Sequence, residues 1–155
     1  MVTTFFTVIF IGKMLDMTPP ITIYDSHFSV KETIDRIEHT LRERGVTVFA
    51  RIDHCRGARQ AGLDMQEEEL LIFGNPEIGT NLMLENPAIG IELPLKILAW
   101  SDKSCTKVAH HKLESLTEEY GIRQSEAVIS NMAASLRTIV TSAISKPITT
   151  REESL

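Results

Sequence analysis

Apolar positions change their spacing along the chain, and each change marks an element. Ile21-Thr22-Ile23-Tyr24, directly after the breaker Thr18-Pro19-Pro20, reads as a short strand. Val30, Ile34, Ile37 and Leu41 then recur at steps of four, three and four, which is one face of a helix. Lys31, Glu32, Asp35, Arg36, Glu38, Arg42 and Glu43 fill the opposite face. Ser29, with Glu32 three positions later, has capping-box spacing, and Gly45 takes the C′ position that ends the helix. From Val46 to Asp53 the period falls to two. Val46, Val48, Ala50 and Ile52 are predicted to point one way, and Thr47, Phe49, Arg51 and Asp53 the other. The uninterrupted run Leu70-Leu71-Ile72-Phe73 predicts a strand buried on both faces.

Residues 54–64, HCRGARQAGLD, are small and polar and predict a short helix or an irregular crossover. Asn75-Pro76 is an N-cap followed by proline at N1, opening a helix that runs to Glu85 before Asn86-Pro87. Leu95 to Trp100 and Thr106 to Lys112 predict a hairpin around Ser101-Asp102-Lys103-Ser104, and Leu113 to Tyr120 a short helix closed by Gly121. Residues 125–146 are the most regular element. Val128, Met132, Leu136, Ile139, Val140, Ala143 and Ile144 are predicted on one face, and Glu126, Arg137 and Lys146 alone bring charge. A helix so poor in charge wants a surface to cover, on its own domain or on a second subunit. A membrane-surface helix would carry a Lys/Arg-rich polar face.

The tail from Pro147 is expected to fray. The opening run VTTFFTVIFI, residues 2–11, is too short to span a bilayer. It leaves three readings open: an extra strand or loose arm, an extension ahead of a true start at Met14 or Met17, or a segment for export or membrane association.

Composition sets bounds on these elements. With 155 residues and 43% hydrophobic content, the chain is expected to form one ordinary domain, which excludes a disulfide-stapled miniprotein and a collagen-like repeat. Sixteen basic residues against twenty-one acidic ones give a net charge of -5, so the basic footprint of a nucleic-acid binder is missing. Cys55 and Cys105 make no CxxC and no zinc-finger spacing; free thiols in a reducing, cytoplasmic compartment are the expectation, with no metal and no cofactor. Phosphate-loop, dinucleotide, zinc-protease and nucleophile-elbow signatures do not occur.

Two places can carry chemistry. His54 ends a strand beside Asp53, near Arg51 and ahead of a glycine-rich crossover, where α/β sites gather. A histidine next to a carboxylate can serve as general acid or base near neutral pH. The other place is Gly74-Asn75-Pro76 with Gly79 and Thr80, where free N–H groups at a helix start attract a small anion. Each also has a plain structural reading, a turn hydrogen bond for His54 and a well-made strand-to-helix turn at Asn75. Cys55 is a nucleophile only if Arg51 or Arg56 stabilises its thiolate. His110 and His111, adjacent on a strand, face opposite sides and cannot share one metal; His27 and His39 are expected at the surface. The ligand-binding set is therefore Arg51, Asp53, His54, Gly74, Asn75, Gly79 and Thr80, with His54 and Asp53 as catalytic candidates.

The run from Ile52-Asp53-His54 through Leu71-Ile72-Phe73-Gly74-Asn75-Pro76, Gly79-Thr80 and Leu82-Met83 to Leu93-Pro94-Leu95-Lys96 resembles a known family. It is the bacterial and archaeal domain-of-unknown-function family three hundred and two, the Thermus TT-protein-like α/β family. The resemblance covers residues 21–121. It implies an α+β fold, a two-layer sandwich with a mainly antiparallel sheet and helices packed on one face, in a homodimer. It implies no established activity. Two stretches depart from the family pattern: Cys55 stands where a small residue is usual, and Ala109-His110-His111-Lys112-Leu113 where a Tyr-Asn-Asp-Pro-like stretch is.

On this reading residues 1–20 are an N-terminal extension, 21–121 the domain, and 122–155 an added amphipathic helix and tail. The expected function is a homodimeric accessory or small-ligand-binding module, the ligand being a small anion. The alternative is a small enzyme using His54 as general acid or base with the Asn75 helix start as anion site. Partner binding through the helix at 125–146 is a third role.

Overall fold

The computed structural model describes residues 20–146, so the opening run 2–11 and the tail from Pro147 lie outside the described residues. The elements follow as β1 (Ile21–Ser26), α1 (Val30–Glu43), β2 (Thr47–Asp53), α2 (His54–Gln60), β3 (Glu68–Gly74) and α3 (Pro76–Glu85). A 3-10 turn, Pro87–Ile91, leads to β4 (Leu95–Asp102), β5 (Cys105–His111), α4 (Ser115–Glu119) and α5 (Glu126–Ile144). The strands make one sheet in the order β1-β5-β4-β3-β2, antiparallel at every pairing. The fold is α+β, with α1 and α5 packed together over one face of the sheet.

Helix α1 forms as its spacing predicts. Ser29 Oγ accepts the Glu32 N–H at 3.2 Å, and Gly45 ends the helix with φ +71°. Val30, Ile34, Ile37 and Leu41 are all buried. Burial of side chains this size is worth about 1.5–3 kcal/mol each. Helix α5 reaches α1 through Arg36, whose Nε donates to the Ala143 carbonyl at 2.6 Å and whose guanidinium lies 4.1 Å over the Phe28 ring.

Paired residues share a face, so the register sorts the sheet. Leu71, Phe73, Ile97, Ala99 and Val108 face the helices and are buried. Leu70, Ile72, Leu98 and Trp100 face the other way and are only half-buried, while Ile23 and Ile52 are 51% and 39% exposed. The strand expected to be buried on both faces is thus buried on one, because no helix among the described residues covers the second.

Strand β2 breaks its predicted alternation. The register to β3 slips between Val48 and Ala50, leaving Phe49 as an extra residue in a bulge. Past the bulge the side chains swap faces, and Arg51 turns into the helix layer instead of away from it. There its Nε donates to Glu69 and its Nη1 to Asp35, both at 2.6 Å, with Glu38 at 3.3 Å.

Helix α5 is rotated slightly from its predicted phase. Ile129 and Ala133 are buried in place of Val128 and Met132, which are half-buried on an adjoining face. Its start carries no side-chain cap of its own. Instead the Glu85 carboxylate, at the end of α3, accepts the N–H groups of Arg123, Gln124 and Ser125. These backbone bonds, led by that from Arg123, hold Glu85 below the usual carboxylate range. The α5 side chains belong to the same core cluster as α1 and the sheet, so residue 121 marks no break in the packing.

The Arg51 cluster makes a pH-dependent prediction. Burial raises the Asp35 pKa, but hydrogen bonds from Lys31 and Arg51 outweigh it and hold it low. Glu38 is held low first by Arg42, against burial, with Arg51 adding to it. Depressed carboxylates stabilise the fold above their unfolded-state pKa of about 4 and lose that contribution as pH falls through the folded values. Arg51→Ala is expected to cost about 1–2 kcal/mol at neutral pH, less than for a fully buried pair because Asp35 stays partly exposed. Urea denaturation should show this deficit shrinking below about pH 4. A deficit independent of pH would mean that Arg51 acts through packing alone.

Candidate functional site

The sequence-predicted site residues divide into two groups. Asp53 pairs with Glu69 at one end of the β2–β3 ladder, and Thr47 pairs with Gly74 at the other. Five residue steps along the strand lead from Glu69 to Gly74, about 17 Å at the usual rise. His54 follows Asp53 and Asn75 follows Gly74, so the two candidates sit at opposite ends of an antiparallel pair. Arg51, Asp53 and His54 are therefore not brought together with Gly74, Asn75, Gly79 and Thr80.

At the first end each side chain has local work. Arg51 is held by its three carboxylates. Asp53 caps α2, its Oδ1 accepting the Arg56 N–H at 2.7 Å. His54 is the first residue of α2 and is half-buried. The Cys55 thiol is buried and donates to the Met65 carbonyl at 3.5 Å, so neither Arg51 nor Arg56 is its partner there. Cys55 and Cys105 are both free thiols.

At the other end the helix start is already satisfied. Pro76 has no N–H. The N–H groups of Glu77 and Ile78 donate to Asn75 Oδ1, and that of Gly79 to the Asn75 carbonyl. The anion site expected from free donors at this turn is thus filled by its own N-cap.

What this turn does border is a groove of about 1040 Å³. Gly74, Asn75, Gly79 and Thr80 lie along it, and the Phe49 ring closes over Gly74. Its floor and walls are Leu41, Val46, Phe73, Leu95 and Met83 with Val128, Met132, Leu136 and Ile139 of α5. The bulge places Phe49 here. The polar groups on the rim are Arg44, Asn131 and Ser135 beside Asn75 and Thr80. Sequence reading missed most of this set, since each apolar member looks like core and comes from a different element. The one signal available was α5, too apolar for a helix with a single buried face.

His110 and His111 do face opposite sides. His110 is buried under the helix layer; its Nδ1 lies 2.7 Å from the His111 carbonyl and its Nε2 3.2 Å from the Tyr24 hydroxyl. A carbonyl only accepts, so Nδ1 carries the proton and Nε2 accepts from Tyr24. Burial pushes the His110 pKa down. His111 is exposed, 3.4 Å from the Glu92 carboxylate.

Comparison with known proteins places this architecture. The family model described as Domain of unknown function DUF302 matches residues 22–142. The chain belongs to the DUF302 family. The match takes in most of α5, whose side chains belong to the same core cluster.

The crystal structure of an uncharacterised conserved DUF302 protein from Bacillus stearothermophilus is similar in fold. Its TM-score is 0.64 at 21% sequence identity, over 82% of this chain and 97% of that one. Among curated proteins, fluoride-specific ion channel FluC 1 of Brucella suis and FluC 1 of Brucella abortus are each 48% identical over 80 residues. Those 80 residues are 52% of this chain and 32% and 30% of the two relatives, so the chain matches under a third of their length.

The buried histidine gives this DUF302 domain a measurable acid sensitivity. With its folded pKa below the unfolded value of about 6.5, His110 leaves stability intact above that pH. Stability then falls as pH drops from the unfolded toward the folded value, because the unfolded chain takes the proton first. His110→Gln should flatten the stability curve below about pH 6.5 in thermal denaturation. A slope unchanged by the substitution would assign the acid sensitivity elsewhere.

Proposed function

We propose that this DUF302 protein is a binding module whose site is the groove between α3, the bulged start of β2 and α5, and whose ligand is a small, mainly apolar molecule. The observation that carries the reading is the second apolar face of α5. Val128 and Met132 pack only half-buried against the core and line the groove with hydrophobic side chains. Such residues cost solubility unless something covers them. A volume of about 1040 Å³, lined by apolar side chains with a few polar groups at its rim, matches the usual size and chemistry of small-molecule sites. The alternative of an enzyme pairing His54 with the Asn75 turn lacks support, since the two lie at opposite ends of the strand pair.

The homodimer expected from the family resemblance has support in the open face of the sheet. Ile23, Ile52, Leu70, Ile72, Leu98 and Trp100 lie on that face, with Glu68, Lys96 and the Lys107–Asp25 pair beside them. Five strands about 4.8 Å apart and about 20 Å long offer a face of about 480 Å², a little over half of the ~800 Å² per partner of a standard interface. The activity named for the Brucella proteins belongs to polypeptides of which this chain matches under a third, and it is not carried over.

Two measurements test these readings. An environment-sensitive apolar dye should bind the protein, and Met132→Glu should weaken that binding at least about tenfold. Dye binding unaffected by Met132→Glu would remove the groove as the site. In sedimentation, the protein should run as a dimer and Leu98→Glu as a monomer; a wild-type monomer would dismiss the sheet-face contact.

A further inference from the structure

We infer that the groove's ligand is an amphipathic monoanion, an apolar body ending in one carboxylate, and that Arg44 is its counter-charge. The inference rests on the groove being a small-molecule site. Among the residues lining the groove, Arg44 is the one that carries a charge. It is exposed at the C-cap of α1 and makes no ion pair or side-chain hydrogen bond among the described residues. Its neighbours are occupied. Arg36 is spent on the Ala143 and Ser145 carbonyls, Arg42 on Glu38, and Arg51 on Asp35, Glu38 and Glu69.

Among the described residues this guanidinium thus stands without a partner at the edge of a large apolar groove, in a chain where acidic residues outnumber basic ones by twenty-one to sixteen. Helix packing explains why it sits there. The start of α1 meets the end of α5, through the His27 N–H on the Ile144 carbonyl and Arg36 on Ala143. The end of α1 therefore comes level with earlier turns of α5, and Arg44 shares the groove with Asn131 and Ser135. Those two residues are one helical turn apart and exposed, so the lining offers guanidinium, amide and hydroxyl donors. The rest of the lining includes Phe49, Met83 and Leu93, and it holds no acidic side chain to repel an anion. A single arginine fork suits the two oxygens of one carboxylate. The apolar tail would lie against Val128, Met132 and Ile139.

The test compares dodecanoate, dodecanol and dodecylamine below their aggregation concentrations, at about pH 7.5 where the acid is ionised. Each displaces the apolar dye from wild type, Arg44→Gln, Arg44→Lys and Met132→Glu. Dodecanoate should bind wild type about tenfold tighter than dodecanol, and dodecylamine weakest. Arg44→Gln should abolish the preference for the acid while leaving dodecanol unchanged, and Arg44→Lys should retain part of it. Equal binding of acid and alcohol, or a preference that survives Arg44→Gln, overturns the charge assignment and leaves the groove standing. Failure of all three compounds to displace the dye overturns both. Thermal denaturation of Arg44→Gln separates a role confined to the helix end, which lowers stability without changing the acid-to-alcohol ratio and so also counts against the inference.

Discussion

Two helices on one side of a sheet set the terms for everything else in this protein. An α-helix with its side chains is about 10–12 Å across, and five strands span about 20–24 Å. Helices α1 and α5 lying together therefore cover one face and no more. The apolar stripes of both are consumed in that contact, which removes Val30, Ile34, Ile37 and Leu41, and most of the α5 stripe, from water. Two consequences follow from the arithmetic of width. Among the described residues the opposite face of the sheet has no such helix layer, and the layer ends in a step where α1 runs out at Arg44. The groove occupies that step, with α3 forming its far bank.

How much of this the sequence discloses depends on whether the cause is local. Helix α1 is legible because its stripe, its Ser29 cap and its Gly45 stop all lie within sixteen or so residues and agree with each other. Strand β2 is legible as a strand but not in its facing, because the bulge at Phe49 exists only in relation to β3. The facing of Leu70 and Ile72 fails for a similar reason: a continuous apolar run says nothing about how many layers will cover it. The phase of α5 slips because both of its apolar faces enter the same pattern, and period alone cannot tell a core contact from a groove wall.

The site shows the same division. The turn from Gly74 to Thr80 stands out in sequence, and it does border the groove, though its helix start has no donor left for an anion. Arg51, Asp53 and His54 look like a functional trio because they are close in sequence. Antiparallel pairing of β2 and β3 carries them away from that turn, and Arg51 is absorbed into the ion-pair cluster under α1. Arg44, by contrast, is inconspicuous in sequence, one more charge at a helix end. It gains a setting only when helix packing brings α5 alongside it.

The extra residue in β2 also bears on how the molecule behaves at high concentration. Among the described residues β2 lies at the rim of the sheet, with no strand beside one row of its backbone donors and acceptors. A regular, flat strand in that position is a template on which another chain can zip up and begin a growing ribbon. The slip at Val48–Ala50 interrupts the repeat of that row and adds local twist. A would-be neighbour finds its hydrogen bonds out of step after two residues. The same insertion that aims Phe49 into the groove and Arg51 under α1 therefore works as a polymerisation guard at the strand edge.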